Sequence, residues 1–526
     1  MTERRTPLSE LFEFGAASAP DKLAVADGAQ AYTYRELRSG ASRVAALLAR
    51  LGVQAADRVM VLAEKSALMP ALAGAIWKLG AVYVPVDSAN PPQRNAALAH
   101  QVKPKAVLGS SSALHALGAP YPALSFEAAA AAVAAATAQE LPGAAPCDEA
   151  AIAYIMFTSG STGAPKGVMI SHGSLLDYFR NHNRVLRFSA DSRVLSFSPF
   201  HFDVSIEDTL LPLSLGAFVF QFRGLPVGDL VRQIVLRERI THLIAVSTLL
   251  TLITGDGRRV NREWMPQLTM VMTGAEVCDP KVINLWKKNL PEVRVINAYG
   301  PTEATIVCLT HTIEAIDEAR EAAYPIGRPL QGVEARIVDA GRVVRRPGEA
   351  GELWIGGSQV MSGYLDAPAE TARRIVEQAG VRYYRTGDIC RYTETGEVEF
   401  VGRRDDEVKL AGRRIHLGEL RQLALSHPAV GRAAAGLVDV SGRKRIALIV
   451  ISEEENAPCE ELLDFLGMKL PAYMRPQVLA SAHSPCVSST GKTDERQLFE
   501  LLQQACARYG ADRYAYSPDG QFLPAA

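Results

Sequence analysis

Strand-like and helix-like segments alternate through the first 325 residues of this chain, and that alternation constrains the fold more than any other feature. Residues 8–52 read as helical around a short hairpin, Leu23-Ala-Val-Ala26 and Ala31-Tyr-Thr-Tyr34, with a turn at Asp27-Gly28. Val59-Met-Val-Leu62 reads as a strand, Ala67 to Leu79 as a helix, and Ala81-Val-Tyr-Val-Pro-Val86 as the next strand. Parallel strands need crossover connections, usually helices, so this pattern predicts an α/β fold with mostly parallel sheets. Beyond residue 325 the texture changes to short strands with glycine turns: Glu334-Ala-Arg-Ile-Val338, Gly351-Glu-Leu-Trp-Ile355 and Glu397-Val-Glu-Phe-Val401. That predicts a β-rich subdomain. The charged break Gly402-Arg-Arg-Asp-Asp-Glu-Val-Lys409 fits a domain boundary, and helix, strand, strand, helix follow at 419–427, 433–438, 445–451 and 460–469. The expected organisation is a large domain over 1–404, a small α+β domain over 405–508, and a loose polar tail over 509–526.

With 526 residues the chain exceeds one typical hydrophobic core, in keeping with at least two domains. A formal net charge of -1 provides no basic field for nucleic acid. No charge-free apolar run is long enough to span a bilayer, and the first residues, Met1-Thr-Glu-Arg-Arg-Thr-Pro7, lack the apolar core of a secretion signal. The expectation is a cytoplasmic protein without membrane or nucleic-acid partners. The seven cysteines are scattered with no C-x-x-C pair, which suggests neither a zinc site nor a disulfide framework.

The chemistry concentrates in Tyr154-Ile-Met-Phe-Thr-Ser-Gly-Ser-Thr-Gly-Ala-Pro-Lys-Gly-Val-Met-Ile-Ser-His172. An apolar strand runs into Thr158, Ser159, Gly160, Ser161, Thr162 and Gly163, then Lys166 and a second strand over Val168 to Ile170. Four hydroxyls, turned backbone N–H groups and a lysine suit a grip on phosphates. The Walker A loop is excluded, because Lys166 is followed by Gly167, and the second Gly-Lys-Thr, at 491–493, has Cys486 where the first glycine belongs. Asn297-Ala-Tyr-Gly-Pro-Thr-Glu-Ala-Thr305 follows another strand. There Tyr299 could stack on a purine, and Glu303 could hold Mg²⁺ against phosphate oxygens. Tyr384-Arg-Thr-Gly-Asp388 places a carboxylate beside a turn, with Arg403 further on, and Lys492 sits in Ser489-Thr-Gly-Lys-Thr-Asp494.

Together, in this order, these motifs resemble the adenylate-forming, AMP-binding enzymes: acyl-CoA synthetases, luciferases and the adenylation domains of nonribosomal peptide synthetases. The resemblance runs from about residue 8 to 505. It implies that the loop 158–166 binds the leaving pyrophosphate of ATP, with Lys166 taking part in catalysis. It also implies that Asn297, Ala298, Tyr299, Gly300 and Thr302 contact the nucleotide and that Asp388 accepts the ribose hydroxyls with Arg403 close by. By the same resemblance Glu303 would carry Mg²⁺, and Lys492 would bridge the substrate carboxylate and the α-phosphate. Asp405, or else Asp406, would be the hinge about which the small, mobile domain rotates between half-reactions. Gly412 would then line the thiol channel. Where the family has a glutamate after Arg-Ile, this chain has His416.

By the same resemblance His201-Phe-Asp-Val-Ser-Ile-Glu-Asp208 selects the acid. Its Phe-Asp pair marks amino-acid activators, whose aspartate, here Asp203, binds the substrate ammonium. The other pocket positions implied are His201, Val204, Glu207, Ile244, Val271, Thr273, Ala298, Ile306 and Val307. Glu207 admits two readings: a partner for a second amine on a basic or β-amino substrate, or a residue turned elsewhere beside a small or cyclic, proline-like one. No serine in a G-G-x-S context follows Lys492, so a separate phosphopantetheinyl carrier protein is the expected thiol partner. The rival readings are an acyl-CoA synthetase using free CoA and a catalytically dead binding protein.

Overall fold

The computed structural model describes residues 7–118, 120–135, 148–160, 165–404, 407–452, 459–483, 495–517 and 521–525. A seven-stranded sheet carries the hairpin of β1 (Ile152–Thr158) and β2 (Lys166–Ser171), with the parallel strands Val82–Asp87, Arg58–Ala63, Ala106–Gly109 and Ala123–Ser125 beyond it. The helix α1 (His172–Leu186) leaves β2 directly, capped by the Ser171 hydroxyl. A nine-stranded sheet contains β3 (His242–Val246), β4 (Met270–Gly274) and β5 (Arg294–Tyr299), neighbouring and parallel. Their central residues are buried, as befits strands covered on both faces. This is the α/β architecture the alternation predicts.

Local sequence explains the long covering helix Tyr34–Arg50. Thr33 and Glu36 form a reciprocal capping box at its start. Leu37, Ala41, Val44 and Leu48 then recur on one face and are buried in the main core. Each such Leu or Val contributes about 1.5–3 kcal/mol by leaving water, so the stripe fixes the helix chiefly against the neighbouring helices Met69–Lys78 and Phe126–Ala134.

The β-rich region forms a separate antiparallel sheet that includes β6 (Val381–Tyr392) and β7 (Val398–Arg403). Next come the two-stranded hairpin of β8 (Glu407–Leu410) and β9 (Arg413–His416), and the helix α2 (Leu417–Leu425). A five-stranded sheet ends the chain: β10 (Arg432–Val440), β11 (Arg443–Ser452), β12 (Val478–His483), β13 (Arg513–Tyr516) and β14 (Phe522–Pro524). It has its own apolar cores. One gathers Val438, Ile449, Val478 and Leu502; the other gathers Ile446, Leu448, Leu466 and Leu420.

The loose tail expected over 509–526 is corrected here. β13 pairs parallel with β12, β14 pairs antiparallel with β13, and Tyr514 and Phe522 are buried in the core of the sheet. The polar, Gly- and Pro-containing composition concealed two aromatic anchors.

Candidate functional site

Thr158 pairs with Lys166 at the mouth of the β1–β2 hairpin, so the loop between them projects from a fixed ladder. Ser161, Thr162 and Gly163 lie outside the described residues. The Lys166 ammonium is 2.6 Å from Glu370 Oε1 and 5.5 Å from the centre of the Tyr364 ring. The Ser159 hydroxyl donates to the Arg414 carbonyl and accepts from the His416 amide, both at 3.0 Å. The phosphate-loop candidate therefore touches β9 of the C-terminal part. The carboxylate of Glu419 on α2 approaches the same loop. Burial pushes its carboxyl up against the opposing Arg94 guanidinium, 3.0 Å away, and the Gly160 amide.

The nucleotide candidates converge. β6 and β7 are paired so that Asp388 faces Arg403, and Arg403 Nη1 lies 2.6 Å from Asp388 Oδ1. Tyr299 donates its hydroxyl to the other oxygen, Asp388 Oδ2. Each carboxylate oxygen keeps lone-pair capacity, so two further hydroxyl donors can still be accepted. Gly300 is required where it stands, because a Cβ there would lie 2.1 Å from the Ile306 carbonyl oxygen. Thr305 and Ile306 follow with φ of 57° and 70°, a costly region for β-branched residues. The loop is clamped in that shape: Thr305 donates to the Gln359 carbonyl at 2.6 Å, and the Gln359 amide donates to the Val307 carbonyl at 2.9 Å.

Glu303 is buried at the centre. Its Oε1 accepts from the Tyr364 hydroxyl at 2.8 Å and its Oε2 from Arg414 at 2.6 Å. Burial pushes this carboxyl up, but the Arg414 guanidinium and the hydrogen bonds outweigh it, and the carboxyl stays below its ordinary range. Arg414 also lies 2.6 Å from Glu407 Oε2. Among the described residues no group of three His, Cys, Asp or Glu could hold a metal. A single carboxylate near the phosphate-loop candidate fits Mg²⁺, which binds through one or two carboxylates together with phosphates and water. With Arg414 on Oε2, a cation at that oxygen requires the β8–β9 hairpin to withdraw.

Asp203 is buried, accepts hydrogen bonds from Thr302 and the Val204 amide, and feels the charges of Glu303 and Glu207. Burial is the main reason its carboxyl rises to about 6. As pH falls through that value the carboxylate takes up a proton and loses its capacity to hold a cation. If Asp203 binds a substrate ammonium, as the resemblance implies, the apparent KM for an amino acid should rise ~10-fold per unit below the pKa and stay flat above it. A KM constant from about pH 5 to 8 contradicts this role.

The Glu207–Asp208 doublet sits in a π-helical turn, Ile206–Leu210, a local distortion frequent at functional sites. Asp208 is fully used in structure: it accepts from the Ser196 hydroxyl at 2.7 Å and from the Phe197 and Ser198 amides at 3.1 and 3.0 Å. Glu207 is also buried, beside His182 and Tyr178 of α1. His201 turns to Asp87, 3.6 Å away, in a cleft with Arg94, Thr158 and Tyr473; burial lowers its pKa to about 4.

Ile244, Ala298, Ile306 and Val307 join the same core, and Val204 packs against it. Val271 and Thr273 do not. Register pairs Ile244 with Met272 and Gly274 with Ala298, so Met272 and Gly274 share the pocket face. Val271 packs in the core on the opposite face, and Thr273 lies 3.3 Å from Ser247 through its hydroxyl. The two positions expected in the wall are thus corrected by one residue each, because a strand's side chains alternate.

Asp405, Asp406 and Lys492 lie outside the described residues. Gly412, at the β8–β9 turn, has φ of 73°, and a Cβ there would come within 2.4 Å of Val246 Cγ1. Gly412→Leu should prevent the hairpin from seating on β3. If Gly412 lines a thiol channel, as the resemblance implies, thioester formation is expected to slow at least ~10-fold, while pyrophosphate exchange changes less than ~3-fold, since a left-handed side chain alone costs ~1–2 kcal/mol. Equal losses in both half-reactions would count against the channel role. The departure at His416 has a local cause: its Nδ1 accepts from the Gly418 amide at 3.2 Å and caps α2.

Sequence reading missed Arg414, Glu407, Gln359, His182 and Tyr178. Arg414 and Glu407 stood in plain view in and just after the charged break; the others carry no local signal.

The family model described as AMP-binding enzyme matches residues 12–365. The chain is 33% identical over 507 residues to the probable non-canonical nonribosomal peptide synthetase CymA of Salinispora arenicola, covering 93% of this chain and 6% of that protein. It is 32% identical over 502 residues to tyrocidine synthase 3 of Brevibacillus parabrevis, covering 94% and 8%. The chain thus spans a small part of either relative. Among solved structures, holo-PA1221, an NRPS protein containing adenylation and PCP domains, superposes with a TM-score of 0.80 at 26% identity, over 94% of this chain and 84% of that one. The adenylation domain AlmE of Vibrio cholerae shares the fold, with a TM-score of 0.79 at 22% identity, over 94% and 97%.

Proposed function

Because the chain belongs to the AMP-binding enzyme family, we propose that it uses ATP to convert an amino acid to its aminoacyl-AMP and then transfers the acyl group to the phosphopantetheine thiol of a carrier protein. The observation that carries the amino-acid reading is Asp203: a buried carboxylate beside Thr302 and Glu303, with no ion pair to a cationic side chain among the described residues. A buried carboxylate is costly without a cationic partner, and a substrate ammonium supplies one.

In the first half-reaction a carboxylate oxygen of the amino acid attacks the α-phosphorus. The bond to the β-phosphate oxygen breaks, and pyrophosphate leaves toward the loop 158–166. Bound Mg²⁺, held by Glu303, would supply positive charge to the phosphate oxygens. Asp388 and Tyr299 hold the ribose and adenine, and Lys492 neutralises charge between the carboxylate and the α-phosphate. In the second half-reaction a thiol sulfur attacks the acyl carbon, AMP departs, and the thiol proton passes to solvent. The contact of β8–β9 with Ser159 and Glu303 suits this second state, since Arg414 then sits where the cation is held in the first.

The test incubates the enzyme with ATP, the activated amino acid, and in parallel a holo-carrier protein or free CoA. Acylation of the carrier's phosphopantetheine, read as a mass shift, supports the proposal. An acyl-CoA product with no carrier acylation favours the acyl-CoA synthetase reading.

A further inference from the structure

We propose that the activated amino acid carries a second basic nitrogen, which Glu207 binds from within a buried Tyr178–His182–Glu207 cluster. This rests on the amino-acid reading above and adds the class of side chain. All three residues are essentially inaccessible to water. His182 Nδ1 lies 2.7 Å from the Tyr178 hydroxyl and 2.9 Å from Glu207 Oε1. A neutral imidazole has one N–H, which cannot serve both partners fully. Besides Tyr178 and His182, Glu207 has no partner among the described residues, and His182 Nε2 has none there. Nearby, the Tyr154 hydroxyl is also unsatisfied.

Buried carboxylates are ordinarily held by fixed positive charge, and the close partners of Glu207 among the described residues are His182 and Tyr178, neither of which carries one, so the carboxylate points to a missing cationic partner. The π-helical turn sharpens the contrast. It delivers Asp208 to hydroxyl and amide donors, whereas the adjacent Glu207 meets His182 and Tyr178 instead.

Charge balance selects the partner. Asp203 and Glu207 are close enough to influence each other. A simple α-amino acid brings one ammonium, which Asp203 takes, and its carboxylate is committed to phosphorus. Glu207 then faces no side chain of fixed positive charge among the described residues, and a second ammonium or guanidinium supplies one. Ile244, Met272, Ile306 and Val307 share the main apolar core and suit the methylenes between two charged ends. The class is therefore an α-amino acid with a cationic side chain.

Amino-acid-dependent pyrophosphate exchange tests this with 2,4-diaminobutyrate, ornithine, lysine and arginine against norvaline and norleucine. The wild-type enzyme is expected to favour one cationic substrate over its neutral isostere by about 10²-fold or more in kcat/KM. Glu207→Gln should bring that ratio below ~10, by lowering the cationic rate and raising the neutral one. A wild-type preference for a neutral amino acid overturns the proposal, whatever the variant does; so does an undiminished ratio in Glu207→Gln. Exchange with no amino acid at all would instead overturn the amino-acid reading on which it stands.

Discussion

Asp203→Ala is expected to reduce amino-acid-dependent pyrophosphate exchange by about 10²–10³-fold, mostly through KM for the amino acid. The cause is the placement of Asp203. It is buried and held by Thr302 and the Val204 amide, at the start of the segment that turns into the pocket. Removing its carboxylate leaves the substrate ammonium buried without a counter-charge, a loss of about 3–5 kcal/mol. Asp203→Asn tests charge separately from shape. It keeps the hydrogen-bonding outline and should still lose most of the exchange. KM for ATP should move little, since Tyr299, Asp388 and Arg403 form their own connected cluster. A KM for the amino acid that is unchanged in Asp203→Ala contradicts the ammonium role.

Lys492→Ala carries the second large effect. Adenylation should fall about 10²–10³-fold, as expected when a cation that stabilises developing phosphoryl charge is removed. The thioester half-reaction, started from synthetic aminoacyl-AMP, should be largely spared. That asymmetry separates a residue used in one state from one that merely supports the fold. Gly412→Leu has the opposite asymmetry, so the pair of variants assigns the two half-reactions to two parts of the C-terminal region. A Lys492→Ala enzyme that exchanges pyrophosphate normally would remove Lys492 from the chemistry.

Contiguous motifs were the most legible part of the site. Tyr299, Asp388 and Arg403 come from separate stretches of sequence and meet in the structure. Strand phase was not legible. Met270-Val-Met272 is apolar at every position because β4 is covered on both faces, so no period-2 pattern tells the pocket side from the other. Hence Val271 and Thr273 stood in for Met272 and Gly274. The Glu207 environment was hidden for another reason. His182 and Tyr178 come from α1, an earlier stretch of the chain, and only the packed helix brings them to Glu207. The network on Arg414 was passed over because a run of alternating charges reads as a solvated boundary, yet folding sets the half-buried Arg414 between the buried Glu303 and Glu407. In the α/β portion, helix and strand alternation was enough. In the tail, two aromatic side chains outweighed the polar composition around them.

The most direct test of the central claim is exchange of labelled pyrophosphate into ATP by the purified protein across a panel of amino acids, with fatty and aryl acids as controls. The proposed function predicts label in ATP only when an amino acid is present and none with the control acids. Exchange driven by a fatty or aryl acid, or none with any amino acid, would contradict it.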